Sequence, residues 1–277
     1  DTRAFSGGLV AAAGTIGIII PPSIPMLIYG FVGNVSVADL FLAGMIPGLV
    51  FCLFFMVVCY RIGKASGCDP GGVRASAAEL RRAFVAASPA LLMPVIIIGG
   101  ILTGWTTPTE AAAVAVVYGL IVAMGVYRDF RIRDLPQLMT DSFVTSAVVM
   151  VVIGATAVLA WLLTLEQMPF ILVDFVQSLS SDPITFLLFV NIVMLILGLV
   201  LDPVPAILLT APLFIPTAQA FNVDLVHLGV IMTCNVAVGL FTPPVGATRY
   251  IASRIAGVGV LSIARSMAPL YLAALAA

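Results

Sequence analysis

The sequence predicts an all-α polytopic membrane protein built from inverted repeats, with two broken helices and a re-entrant hairpin. Three observations predict it. Hydrophobic residues make up 62% of the 277-residue chain and charged residues only 9%, with a mean hydropathy of +1.21. A soluble domain carries about a quarter charged residues. Two proline pairs, Pro21-Pro22 and Pro243-Pro244, lie inside apolar stretches long enough to cross a bilayer. Finally, Gly7 and Gly229, Gly17 and Gly239, Pro21 and Pro243, Pro22 and Pro244, and Pro47 and Pro269 all pair at one offset of 222 residues. A fixed offset of that kind marks two copies of one unit.

The spans follow in order. About 20 residues cross the hydrocarbon core at 1.5 Å each. Residues 5–33 form the first span, broken at Pro21-Pro22, because proline lacks the backbone donor and its ring clashes with the preceding turn. Residues 40–62, 89–103, 108–126 and 142–165 follow as plain spans. Residues 184–201 and 205–221 are short arms either side of Asp202 and suit a re-entrant hairpin. Residues 228–255 are broken at Pro243-Pro244, and a last span starts at Leu261. The chain opens at Asp1 near the start of one hydrophobic run and closes inside another, so a fragment of a longer protein is expected.

Charge orients these spans. Arg61, Lys64, Arg74, Arg81 and Arg82 share one connection, Arg128, Arg131 and Arg133 another, and Arg254 and Arg265 a third, while Arg3 precedes the first span. Alternating the spans places all of them on one side, the cytoplasm by the positive-inside rule. The opposite connections, 34–39, 166–182 and 222–227, contain no Lys or Arg. The first broken helix then runs outward and the second inward. Inverted repeats with discontinuous helices are typical of secondary transporters.

An opened backbone inside a membrane must be buried in protein or line a wet cavity. The first break carries Thr15, Gly17 and Ser23, and the second Asn235, Gly239 and Thr242. Hydroxyls, an Asn amide and freed carbonyls are hard oxygen ligands that suit a sodium ion, and the half-helices starting at Ser23 and Val245 offer N–H groups to an anion. The competing reading is that the prolines only kink helices for packing. A second constellation, Gly198 to Pro205, sets Asp202 between two apolar arms. An intramembrane carboxylate is a functional candidate by default, and the alternative is an N-cap with Pro203 at the first helical position. Thr107, Pro108 and Glu110 fit a capping box, with substrate contact as the second reading. Arg249, a little over one turn beyond Pro244, reads as snorkelling to the inner interface.

Several chemistries are excluded. Cys52, Cys59, Cys68 and Cys234 have no metal or redox spacing, and His227 is the only histidine, so no transition-metal site and no cofactor is expected. There is no phosphate-binding loop, so direct ATP hydrolysis is not expected. No nucleic-acid partner is expected either; the environment is the lipid bilayer.

The motifs Gly14 to Ser23, Thr107-Pro108-Thr109-Glu110-Ala111, and Asn235 through Gly239 to Thr242-Pro243-Pro244-Val245-Gly246 resemble the large membrane (permease) subunit of tripartite ATP-independent periplasmic (TRAP) transporters, over essentially the whole chain. The resemblance implies a multi-pass subunit of the bacterial inner membrane that imports an organic anion, such as a C4-dicarboxylate or sialic acid, with sodium as coupling ion. It implies two partners, a small membrane subunit and a periplasmic substrate-binding protein. It implies an elevator: a transport domain of two hairpins and two broken helices sliding against a scaffold. On that analogy Gly198 to Pro205 is the tip of the second hairpin. Pro21, Pro22, Pro243, Pro244 and Gly246 join the unwound parts, with Thr107 and Glu110 as further candidates. Residues 1–62 become the first-repeat broken helix and the helix after it, 63–88 a cytoplasmic basic loop, 89–165 mainly scaffold, and 166–277 the second-repeat hairpin, broken helix and last helix. The family's Ser/Gly-rich first hairpin is absent from this sequence, so the fragment is not expected to transport alone. A stand-alone dicarboxylate or citrate carrier is the nearest alternative. A membrane enzyme or a simple channel fits less well, since no nucleophile–base pair is present.

Overall fold

The computed structural model describes residues 2–65, 75–180, 182–243 and 245–277. Among them no strand forms, and six helices are long and apolar enough to cross a membrane when the two arms of the first broken helix are taken together. The chain is a multi-pass membrane protein.

It divides into two compact units, Gly63–Val152 and a larger one formed by Asp1–Ile62 with Ile153–Ala277. The smaller unit holds α4 (Ala77–Leu102), α5 (Pro108–Ile121, continued by a π-helical turn to Tyr127) and the first part of the 31-residue α6 (Leu135–Leu165). Its helix ends are tied by side chains: the Tyr118 hydroxyl donates to Pro89 O at 2.7 Å and that of Tyr127 to Ala86 O at 3.0 Å.

α4 starts twelve residues before the hydropathy reading placed it, so the expected loop at 63–88 is helical at both ends. The cause is a capping box. Ser76 N–H donates to Glu79 Oε2 at 2.7 Å, and Glu79 N–H donates back to Ser76 Oγ at 3.2 Å. The first turns carry Glu79, Arg81 and Arg82, charges that lower hydropathy without opposing helix. Residues 66–74, including Cys68 and Arg74, lie outside the described residues. The expected outer loop at 166–182 likewise contains a helix, α7 (Met168–Leu179).

The larger unit contains the predicted breaks. α1 (Thr2–Ile19) and α2 (Ile24–Gly33) flank Pro21-Pro22, and α3 (Val37–Ala65) follows. α8 (Pro183–Gly198) and α9 (Pro203–Ala220) are the two hairpin arms. α10 (Leu225–Gly239) and α11 (Ala247–Ala256) flank the second break, and α12 (Val260–Ser266) and α13 (Ala268–Ala276) close the chain.

The first arm of each broken helix packs on the second arm of the other. On α1, a Cβ at Gly7 would sit 3.2 Å from Ala256 Cβ of α11; on α10, a Cβ at Gly229 would collide with the Tyr29 ring of α2. The two broken helices therefore run antiparallel, as inverted topology requires, and Gly7 and Gly229, equivalent in the 222-residue repeat, sit at the two equivalent crossings. The Tyr29 hydroxyl closes one of them by donating to Leu225 O at 2.7 Å. Tyr29→Phe should cost about 1 kcal/mol, the net worth of one such bond, and lower the melting temperature in detergent by a few degrees. An unchanged melt would mean that the crossing is held by packing alone.

Candidate functional site

The first break is built by local bonds. Ser23 caps α2: its Oγ donates to Ile18 O at 2.5 Å and accepts from Met26 N–H at 3.3 Å. Thr15 Oγ1 donates to Ala12 O at 2.8 Å. Thr15, Pro21 and Ser23 are buried, whereas Gly17 and Pro22 are exposed, and a Cβ on Gly17 would meet nothing within 4 Å.

The second break is tighter. α10 ends at Gly239, Thr242 Oγ1 donates to Val238 O at 2.6 Å, and Thr248 Oγ1 donates to Leu240 O at 3.0 Å across the gap. Gly246 has φ +42°, in the left-handed region, and a Cβ there would lie 2.8 Å from both Thr242 O and Arg249 Nε. Only glycine suits a position that is both left-handed and crowded by carbonyls. Pro243 is exposed, and Pro244 lies outside the described residues.

Both breaks meet one apolar cluster. Ile16 and Ile19, just before the first, pack with Ala237, Val238 and Phe241, just before the second, along with Phe51 and Phe55 of α3. Phe55 and Phe241 make an edge-to-face pair with centroids 6.0 Å apart.

The hairpin tip seats on the second break. Gly198, last residue of α8, lies so close to Gly239 that a Cβ on Gly198 would be 3.0 Å from Val236 Cα and 3.2 Å from Gly239 Cα. A Cβ on Gly239 would collide with the Gly198 carbonyl carbon. Asp202 occupies the N-cap position of α9, with Pro203 at the first helical position, but its carboxylate makes no capping bond and is exposed. The N-cap reading thus holds for position and not for the side chain.

Gly198, Asn235, Gly239, Thr242 and Gly246 therefore belong to one neighbourhood, bordered by the apolar cluster that also takes in the end of α1. Thr107 and Glu110 belong to the other unit, where the expected capping box forms: Thr107 N–H donates to Glu110 Oε2 at 2.7 Å and Glu110 N–H to Thr107 Oγ1 at 3.3 Å. Two residues were missed or misread. Asn191, a polar side chain in the apolar arm Leu187 to Met194, accepts a 2.8 Å hydrogen bond from Asn235 Nδ2. Arg249 does not snorkel. It is 2% exposed, in the neighbourhood of Tyr271. Spacing from Pro244 set its depth but not its rotation about the α11 axis. No group of three or more metal-ligating side chains is present among the described residues.

Residues 2–277 match the family described as "Tripartite ATP-independent periplasmic transporter, DctM component". The C4-dicarboxylate TRAP transporter large permease protein DctM of Pseudomonas aeruginosa is 42% identical over 96% of this chain and 62% of its own length. The sialic acid TRAP transporter large permease protein SiaM of Vibrio cholerae is 38% identical over the same shares. The isethionate TRAP transporter permease protein DctMQ of Oleidesulfovibrio alaskensis is 36% identical over 96% of this chain and 42% of its own length. The chain thus spans about 62% of the length of the first two.

Proposed function

The chain belongs to the DctM-component family of TRAP transporters, and from that premise we propose that it forms the greater part of a permease subunit importing an organic anion across the bacterial inner membrane on a sodium gradient. The anion arrives from a periplasmic binding protein, and a small membrane subunit braces the permease. The observation that carries this reading is the seating of the Gly198 tip on Gly239, backbone against backbone, one turn beyond the buried Asn235. Backbone brought that close to a broken helix is how a transporter exposes carbonyls to a small cation and N–H groups to a carboxylate. Sodium would take oxygens from Thr242, Asn235 and the freed carbonyls around Gly239 and Gly198. Thr15, Gly17 and Ser23 would supply the matching half at the first break. Asp202, exposed at the tip, would meet the ion or the cargo. The two units would act as the moving and static parts of an elevator, with most of 63–152 on the static side.

The relatives differ in the substrate their names carry, C4-dicarboxylate, sialic acid or isethionate, at similar identity. The proposal therefore stops at an organic anion. The test is uptake of a labelled organic-acid panel into proteoliposomes holding the full-length parent with its small subunit. Uptake should need both sodium and the cognate binding protein. Uptake with sodium alone would move the protein to the stand-alone carriers.

Asn235→Ala and Asp202→Ala in the full-length protein should each raise the sodium concentration for half-maximal uptake by roughly tenfold, the loss of about one good ligand interaction, and weaken sodium dependence more than folding. Sodium activation unchanged in both variants would remove these residues from the site.

A further inference from the structure

Asn235 is 7% exposed, and both hydrogens of its amide are spent. Nδ2 donates to Asn191 Oδ1 at 2.8 Å and to Ile231 O at 2.8 Å. Asn191 is itself held, because its Nδ2 donates to Leu187 O at 2.7 Å and so turns its oxygen toward Asn235. A flipped Asn235 would press its oxygen against two acceptors, so the network fixes which end is which. No donor among the described residues reaches Asn235 Oδ1. An amide oxygen with no donor on it keeps both lone pairs for a cation. The bonds in this chain are aligned in one sense, from Asn235 through Asn191 to Leu187 O, and aligned amides polarise one another, which concentrates negative charge on that oxygen.

Asn191 and Asn235 also lie on different helices of the larger unit. Asn191 is two turns before Gly198 on the hairpin arm α8; Asn235 is one turn before Gly239 on α10. The amide pair and the glycine pair thus fasten the same helix–helix seam at two heights. We propose that Asn191 is a positioning residue for the ion site. It does not touch the ion but aims the Asn235 amide oxygen at it, and does so only while the hairpin is seated on α10. This rests on the sodium-ligand reading of Asn235 given above. Partners of this kind, one step removed from an ion, typically change its affinity by 10- to 100-fold when removed.

The experiment is a sodium titration, at constant ionic strength with potassium, on the full-length protein with its small subunit and binding protein. It reads half-saturating sodium for uptake and, separately, the sodium-dependent rise in melting temperature. Asn191→Leu keeps the branched outline and deletes the acceptor; it should raise half-saturating sodium roughly 10- to 100-fold and shrink the sodium-dependent rise in melting temperature. Asn191→Asp keeps an acceptor facing Asn235 Nδ2 and, as the neutral acid that burial among apolar residues favours, a donor for Leu187 O, so it should stay within about threefold of wild type. Asn191→Ser, too short to reach Asn235, should behave like Asn191→Leu and stands in for it if the leucine variant does not assemble. A sodium-dependent wild type with half-saturation unchanged in Asn191→Leu and Asn191→Ser, at reduced maximal rate, overturns the role of Asn191 and leaves the site intact. Wild-type uptake indifferent to sodium overturns the site itself, and this inference with it.

Discussion

Gly239→Ala should reduce uptake by the full-length protein by roughly 10- to 100-fold, the kinetic equivalent of about 1–3 kcal/mol of overpacking. The added methyl has nowhere to go. It would collide with the Gly198 carbonyl carbon and lie 2.6 Å from Gly198 Cα. Those are backbone atoms, so no rotamer change relieves the clash; the hairpin must lift from α10 or the end of α10 must bend away. Either movement displaces Thr242 and the freed carbonyls that follow it. Gly198→Ala should act in the same direction and less strongly, since its Cβ would sit at 3.0 Å from Val236 Cα. The control is Gly63→Ala near the end of α3, where a Cβ meets nothing within 4 Å; alanine is worth up to about 1 kcal/mol more than glycine inside a helix. Uptake and melting temperature measured side by side separate a lifted hairpin from a failed fold. Normal uptake in Gly239→Ala would mean that the tip does not bear on α10 in the working protein.

Arg249→Ala should be the most destabilising single change in the larger unit, at about 2–5 kcal/mol for emptying a large core position. Arg249 is among the largest fully buried side chains, and Tyr271, stacked on Phe241 with centroids 5.6 Å apart, loses a neighbour when the guanidinium goes. Arg249→Met restores the volume and should recover much of the loss, because well-packed apolar replacements of buried ionic groups are often tolerated. Arg249→Lys should not, since a compact, strongly hydrated ammonium is harder to bury than a delocalised guanidinium. Melting curves in detergent for the three variants decide this. An Arg249→Ala protein that melts with the wild type would place the side chain outside the core after all.

What could be read from the sequence was set by how local the cause is. The proline pairs announce their breaks because proline acts on its own turn, and the structure opens α1/α2 and α10/α11 at those positions. The Thr107–Glu110 capping box was legible for the same reason, as four residues with one geometry. The equivalent box at Ser76–Glu79 was overlooked only because its charges were counted as loop. The antiparallel crossing was legible indirectly, through the repeat offset and the side on which the arginines fall. By contrast, the Gly198–Gly239 contact joins residues 41 apart in sequence, and no propensity or period encodes which two glycines will meet. Asn191 stood in plain view as an amide in an apolar arm; its partner 44 residues away did not. Arg249 shows the remaining gap: a helix position gives depth in the membrane at once, but the side it faces only after its neighbours are packed.

The meeting of the two breaks has an electrical consequence. α1 and α10 end there and α2 and α11 begin there, so the partial charges of two helix C-termini and two N-termini offset one another. Thr15, Ser23, Asn235 and Thr242 carry no formal charge, and Arg249 and Asp202 carry one of each sign. A body so nearly neutral feels little of the membrane potential by itself; what the field acts on is the cargo. Each uncompensated charge carried across is worth about 2.3 kcal/mol per 100 mV. If import runs on sodium as proposed, the steepness with which potential alters the uptake rate would count the sodium ions carried in excess of the anion's charge.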